Sequence, residues 1–320
     1  MTEQKQTIWT RPMVVFFAAF FCCVLWGSAT PAIKSAYEMF RLGPEDTAAR
    51  LVMAGLRFVI AGIMVIVFFS VAERRFLMPK KESFAKIPLL ALFQSVGQPY
   101  FFFLSLVNTS GVRSSIINAS GNFFAILFAA YVFRMEKMTL RKWAGCIAGV
   151  IGLVLLLGGF GAILDGTGFT LAGEGAMLAA DAFYAMGSCL SKRFSRNENP
   201  VALCGYQFLC GGAILFLIGI LSGGHLVFYN AGCVIVLLYM GFISAGAYAL
   251  WGILLKYNPV SKISILGFLN PVMGVLLSAI FLGENREALS WNGLLALILV
   301  SLGIILVNRD PSVRKKRSAV

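Results

Sequence analysis

The amino-acid sequence predicts an all-α membrane protein of ten transmembrane helices, built as an inverted repeat of five plus five. Three observations carry this. Apolar runs of spanning length recur from end to end. Basic residues gather in alternate loops. Rare residues of the first half return in the second at fixed offsets.

The 320 residues are 59% hydrophobic and only 13% charged, with a mean hydropathy of +0.83. Soluble domains carry about 25% charged residues, so almost none of this chain reads as soluble. Apolar runs of ~20 residues match the thickness of a bilayer core. In hydrocarbon only helices and closed barrels satisfy every backbone group. Runs this long that do not alternate are helices.

The first, 13–33, holds "MVVFFAAFFCCVLWGSATPAI". It is too long for a signal-peptide core, and no clear small-residue cleavage site follows it. The second, 51–71, is apolar except for Arg57. The third, 87–107, contains Pro99, and the fourth, 113–133, contains two asparagines. The fifth, 142–159, closes a first unit over 13–159. The sixth, 172–191, carries Asp181 near its middle; the seventh and eighth are 201–221 and 232–255. The ninth, 260–282, contains Asn270-Pro271, and the tenth, 291–307, closes a second unit over 172–308. A basic tail, 309–320, remains.

Of the 27 Lys and Arg residues, 21 fall in the N-terminus, the tail and the loops 2–3, 4–5, 6–7 and 8–9. Five lie in the opposite loops, and Arg57 lies inside a helix. By the positive-inside rule both termini are cytoplasmic. The net charge of +13 is thereby explained without nucleic acid, since no basic stripe interleaved with aromatics exists.

All seven cysteines sit in apolar segments and none forms a Cys-x-x-Cys pair, so they read as small buried hydrophobes. The single histidine, His225, lies in a loop, which argues against a His-based catalytic or metal site. We expect no metal and no cofactor.

"VRSSIINASGNFFAILFAAYVFRME" aligns with "VSKISILGFLNPVMGVLLSAIFLGE" at an offset of 148, pairing Asn122 with Asn270 and Glu136 with Glu284. The same offset pairs Trp143 with Trp291 and Tyr100 with Tyr248. At an offset of 150, "GLRFVIAG" meets "GYQFLCGG"; at 158, Trp26 meets Tyr184 and Lys34 meets Lys192. A unit of five helices has an odd number of crossings, so its second copy enters the membrane inverted. Inverted repeats are an architecture of secondary transporters, which bind solute at the interface of the repeats.

These residues carry a family resemblance. "LWGSATPAIK", "GLRFVIAG" and "FRMEKMTLRKWAGCIAGVIGLVLL", the last pattern repeated at "FLGENREALSWNGLLALILV", resemble the drug/metabolite transporter superfamily in its ten-helix form with two EamA-type repeats. The resemblance spans about 13–308. It implies a bundle with a central cavity lined chiefly by helices 1, 3, 4, 6, 8 and 9. It also implies carriage of amino acids, metabolites or drugs, often outward, by alternating access. One departure stands out: Gln207 occupies the place that Arg57 holds in the first repeat.

Polar residues at membrane depth are the candidate site. Gln94 and Gln98 in helix 3, and Asn118 and Asn122 in helix 4, are each spaced i, i+4 and so share a face. They line a cavity or hydrogen-bond between helices. Asn270 and Pro271, near mid-depth in helix 9, are the strongest candidate for a helix break that exposes backbone to a cavity, a packing device being the alternative. Trp26, Tyr100, Phe103, Tyr184, Tyr248 and Trp251 fall near mid-depth, away from the interfaces where belt aromatics sit. An apolar chamber with a few amides suits a small amphipathic or aromatic solute. Plain packing is the alternative.

Asp181 sits at the midplane of helix 6, with Glu174 and Ser188 seven residues to either side on its face. A midplane carboxylate costs about 2.5–3.5 kcal/mol on insertion scales. Two uses justify it: loading and unloading a proton or meeting a substrate amine, and structural pairing or hydrogen bonding. Arg57, in the outer third of helix 2, could pair with a carboxylate, structurally or as the anchor of a substrate carboxylate. Glu136 and Glu284 at helix ends read as structural.

The function expected is a secondary transporter of a small solute in the cell membrane, not an enzyme. No Walker-type motif is present, so proton coupling or exchange would drive it. The alternative is a receptor, scaffold or channel-like protein. Its partners are a small molecule and the lipid bilayer. The oligomeric state is open, a homodimer included.

Overall fold

A computed structural model describes residues 8–43, 45–156, 169–267, 269–283, and 291, 294, 295, 298, 299 and 302. Within them the chain is helical apart from turns and loops. The helices are α1 (Pro12–Met39), α2 (Thr47–Ala72), α3 (Lys86–Asn108), α4 (Gly111–Val132) and α5 (Leu140–Leu156). They continue with α6 (a π turn Leu171–Gly175 running into Ala176–Phe194), α7 (Pro200–Leu221), α8 (Ala231–Tyr257) and α9 (Val260–Leu282). The tenth expected helix, Glu284 and the basic tail fall largely or wholly outside the described residues.

Among the described residues, seven helices are long and apolar enough to cross a membrane: α1, α2, α3, α4, α7, α8 and α9. The protein is a multi-pass membrane protein. Its outward surface is apolar: Phe16, Phe17, Phe68, Leu217, Ile235 and Phe242 are exposed. α5 is described over 17 residues, up to the edge of the described stretch. The four ionisable residues of α6 lower its hydropathy, and two of them, Glu174 and Asp181, are buried against neighbouring helices.

Several of the main helix pairings share one rule. α1 packs on α8 and α9, while α6 packs on α3 and α4. α2 packs on α8, while α7 packs on α3. α2 and α7 pack on each other, and so do α4 and α9. Replacing each helix by the one five places along leaves this scheme unchanged.

The α2–α7 seam is the closest. Its helices run antiparallel: Val52 lies by Gly219, Gly55 by Gly212, and Gly62 by Gly205. A Cβ on Gly55 would sit 2.7 Å from the Gly212 carbonyl oxygen, and one on Gly62 2.8 Å from that of Gly205. Small residues let membrane helices approach this closely. Phe58 stacks on Phe208, its counterpart at the offset of 150, with ring centroids 5.0 Å apart and planes at 20°.

Three helices depart from regular α geometry where the site lies. In α3, Leu92–Gly97 forms a π turn just before Pro99, which has no N–H to give to the carbonyl of Ser95. α4 breaks at Asn118–Ala119, between Gly111–Ile117 and Ser120–Leu127. α9 breaks between Val260–Leu266 and Leu269–Leu282.

Candidate functional site

A narrow cavity opens between the two halves, with about 60 Å³ of free space inside it. Trp26 and Ala29 of α1, Arg57 and Phe58 of α2, and Gln98, Pro99, Phe102 and Phe103 of α3 line it. The rest of the wall is Asn118 and Asn122 of α4, Tyr184 of α6, Tyr248 of α8, and Gly267 and Asn270 at the α9 break. Both helix breaks therefore contribute, which is where unwound backbone is tolerated at membrane depth.

Trp26 is the hub of the aromatic wall. Tyr184, Tyr248 and Trp251 stand edge-on to it at 6.0, 5.3 and 4.9 Å between centroids. Such pairs add about 0.5–1.5 kcal/mol each beyond their buried area. Trp251 does not reach the cavity; it is buried behind Trp26. Among the described residues the buried indole N–H of Trp26 has no hydrogen-bond partner.

Gln98 and Gln94 do not share a face as the i, i+4 spacing suggests. The π turn before Gln98 adds a residue to the helical turn and so rotates every later residue of α3 about the helix axis. Gln98 lines the cavity and accepts from the Tyr248 hydroxyl at 3.2 Å. Gln94 lies away from it: its amide oxygen accepts from Gln207 Nε2 at 3.0 Å, and its stem lies on Gly187 of α6. Tyr100 also lies elsewhere. It is 40% exposed and its ring rests on Phe101. Asn118, Asn122 and Asn270 come together across the α4–α9 contact.

Asp181 is 1% exposed and does not line the cavity. Its Oδ2 accepts from Ser120 Oγ at 2.6 Å, and its carboxyl also takes the backbone N–H of Gly121. Asp181 thus caps, from a neighbouring helix, the second segment of broken α4. In the other half, Cys23 takes the matching place at the offset of 158. Its thiol donates to Leu266 O at 3.4 Å beside the α9 break.

Glu174 is also engaged. It pairs with Arg113 at 2.9 Å and accepts from Thr170 N at 2.8 Å and Thr170 Oγ1 at 3.0 Å. Glu136 pairs with Lys142 at 3.0 Å and accepts from Ser261 N at 3.3 Å, tying the end of α4 to the start of α9.

Arg57 makes no ion pair among the described residues, so the pairing with Asp181 does not form. Its Nε donates to Ser244 Oγ at 3.0 Å, and its guanidinium lies over the rings of Phe58 and Phe103 at 5.0 and 5.8 Å. It is 7% exposed and opens onto the cavity.

The sequence reading missed Phe58, Phe102 and Gly267 in the wall, and Ser244 and Ser120 behind it. Ser244 precedes Tyr248 by one helical turn, a spacing that could have flagged it. Nothing in the sequence pointed to Gly267.

The EamA-like transporter family profile matches residues 13–158 and again 171–309. The chain belongs to the EamA-like transporter family. This EamA-like transporter is 29% identical over 306 residues to a chloroplastic WAT1-related protein of Arabidopsis thaliana, covering 93% of this chain and 69% of that one. It is 25% identical to the uncharacterized inner membrane transporter YedA of Escherichia coli, over 95% of this chain and 96% of YedA. It is 26% identical to a probable amino-acid metabolite efflux pump of Salmonella typhimurium, over 87% and 90% of the two chains. A solved crystal structure 20% identical to it superposes with a TM-score of 0.66 over 92% of this chain and 96% of that one, which shows a shared fold. As a member of the drug/metabolite transporter superfamily, the protein is a transporter and not an enzyme.

Proposed function

We propose that the protein is a secondary active transporter that carries a small organic solute through the central cavity by alternating access. One observation carries the reading: the cavity is walled by both halves of the chain, at the breaks of α4 and α9. A site that both halves share can be exposed to either side as one half rocks on the other.

The pairing scheme of the helices supports an inverted repeat. Contacts that survive the exchange of the halves are those of a two-fold axis, where residue i meets j and j meets i. Gly55 meeting Gly212 while Gly62 meets Gly205, and Phe58 stacking on Phe208, have that form. The rule of alternate basic loops then puts both termini in the cytoplasm, with a tenth helix over 291–307. The name of the Salmonella relative supports export, and an ion or counter-solute gradient would supply the energy.

The substrate site is the wall formed by Trp26, Gln98, Asn118, Asn122, Tyr184, Tyr248, Asn270 and Arg57. Asp181 is assigned to holding the α4 break, with a proton-coupling role to be tested through it. Solute counterflow in proteoliposomes tests the carrier reading. Trans-acceleration by unlabelled solute is expected; uptake that ignores the trans solute would indicate a channel-like protein instead.

A further inference from the structure

We infer that the cavity selects a small solute with one carboxylate on an apolar or aromatic body, and that the Arg57 guanidinium is its anchor. This rests on the carrier reading and deepens it.

Arg57 brings five donors into a chamber walled by rings and amides. One donor, Nε, is used on Ser244 Oγ, which fixes the plane of the guanidinium. The terminal nitrogens have no protein acceptor among the described residues, and the group opens onto the cavity. A cation at membrane depth is expensive unless it is paired. The carboxylates that could balance it are occupied: Asp181 with Ser120 and Gly121, Glu174 with Arg113 and Thr170. No carboxylate lines the cavity among the described residues. A planar fork of free donors matches a carboxylate two bonds at a time.

The other half makes the anchor single. Gln207 stands where the repeat would supply a second arginine, and its amide is turned onto Gln94. The chamber thus presents one cationic fork rather than two, which suits a monocarboxylate over a dicarboxylate. Trp26, Tyr184, Tyr248 and Phe103 offer ring faces and edges for the body of the solute. With no acidic group in the wall among the described residues, an ammonium on the solute finds neutral amide and hydroxyl oxygens and ring faces there. A free amine is therefore not required, and an organic cation meets the like charge of Arg57.

The test uses the purified full chain in detergent and a matched series: phenylacetate, benzoate and hexanoate, with phenethylamine and phenylacetamide as the cationic and neutral counterparts. Quenching of tryptophan fluorescence, with Trp26 in the wall, reads binding. Carboxylates are expected to bind at least tenfold more tightly than phenethylamine. Arg57→Gln, which copies the residue of the other half, is expected to cost at least about tenfold for carboxylates and to leave phenylacetamide unchanged. Arg57→Lys, which keeps the charge but loses the fork, should fall between. If Arg57→Gln does not purify as a monodisperse protein, Ser244→Ala serves instead; freeing the guanidinium should weaken carboxylates and spare phenylacetamide. Binding of no carboxylate, equal binding of the amine, or undiminished carboxylate binding in these variants would overturn the anchor. Counterflow of phenylacetamide in wild-type vesicles reports on the carrier separately, so the two readings can fail apart.

Discussion

Substituting alanine at Gly55 should damage the protein far more than the same change at Gly205, although the two are equivalent in sequence. A Cβ on Gly55 would lie 2.6 Å from Phe216 Cα and 2.7 Å from the Gly212 carbonyl oxygen, where ordinary contact begins at 3.4 Å. Both obstacles are backbone, so the α2–α7 pair must open by roughly 0.7 Å or more along its closest stretch. Forced overpacking of this kind costs about 1–3 kcal/mol, and rigid helix backbone on both sides points to the upper end. At Gly205 the nearest atoms are Ile66 Cγ1 at 2.9 Å and Val65 Cγ1 at 3.3 Å, side-chain atoms rather than backbone, so the two helices need not separate as far. The cost there should be about 1 kcal/mol or less. Gly252→Ala is the control: its Cβ would meet Pro200 Cβ at an ordinary 3.5 Å, and replacing glycine inside a helix gains about 0.5–1 kcal/mol. Thermal unfolding of the detergent-purified variants reads the difference, with a midpoint on the order of 5 °C lower for Gly55→Ala. If Gly55→Ala melts with the wild type, or Gly205→Ala falls as far, then the seam is not set by backbone contact and the reasoning is wrong.

Asp181→Ala should lose about 2 kcal/mol of stability, because Ser120 Oγ and Gly121 N–H lose a buried acceptor; Asp181→Asn keeps an acceptor and should lose less in denaturant titrations. In proteoliposomes Asp181→Asn should abolish uptake driven by a proton gradient while inserting normally, and an unchanged pH dependence would leave only the capping role. In the loop before α7, burial works to raise the Glu198 carboxyl, but the N–H groups of Asn199 and Lys80 outweigh it and hold the group below the usual carboxylate range. A lowered folded value stabilises above the unfolded value and is lost as pH falls through the folded one, so the α2–α3 and α6–α7 loops should loosen below about pH 4.3. Glu198→Gln should flatten that acid limb in a pH series of thermal melts; a limb that keeps its slope assigns acid sensitivity elsewhere. Trp26→Ala should weaken solute-induced thermal stabilisation, and Tyr100→Ala, on the outer surface, should leave it intact. A loss at Tyr100 would mean that the solute reaches beyond the cavity wall.

The Phe58–Phe208 stack and the glycine seam give the halves a contact surface on their own dividing line. The cavity lies beside it, sharing Phe58 and Arg57. Movement of one half against the other would thus be felt at the residue proposed to hold the solute, which is a physical route from binding to reorientation.

The amino-acid sequence by itself determined the membrane setting, the recurrence of spanning helices and the duplication. These rest on one-dimensional quantities: apolar run length, the alternation of basic loops, and rare residues recurring at fixed offsets. It also marked Trp26, Tyr100, Phe103, Tyr184, Tyr248 and Trp251 as aromatics near mid-depth and Asn118, Asn122 and Asn270 as polar residues at membrane depth, of which Tyr100 and Trp251 lie outside the cavity wall. What it did not decide was direction around each helix axis. A π turn rotates Gln98 toward the cavity and leaves Gln94 on Gln207, a consequence of one residue of added turn that spacing rules do not carry. Whether Asp181 meets Arg57 or the N-terminus of a broken helix depends on how α6 lies against α4 and α2, and only packing in three dimensions settles that. Length and polarity are written along the chain, whereas the partner of a buried charge is chosen by whichever neighbouring helix brings a donor within reach.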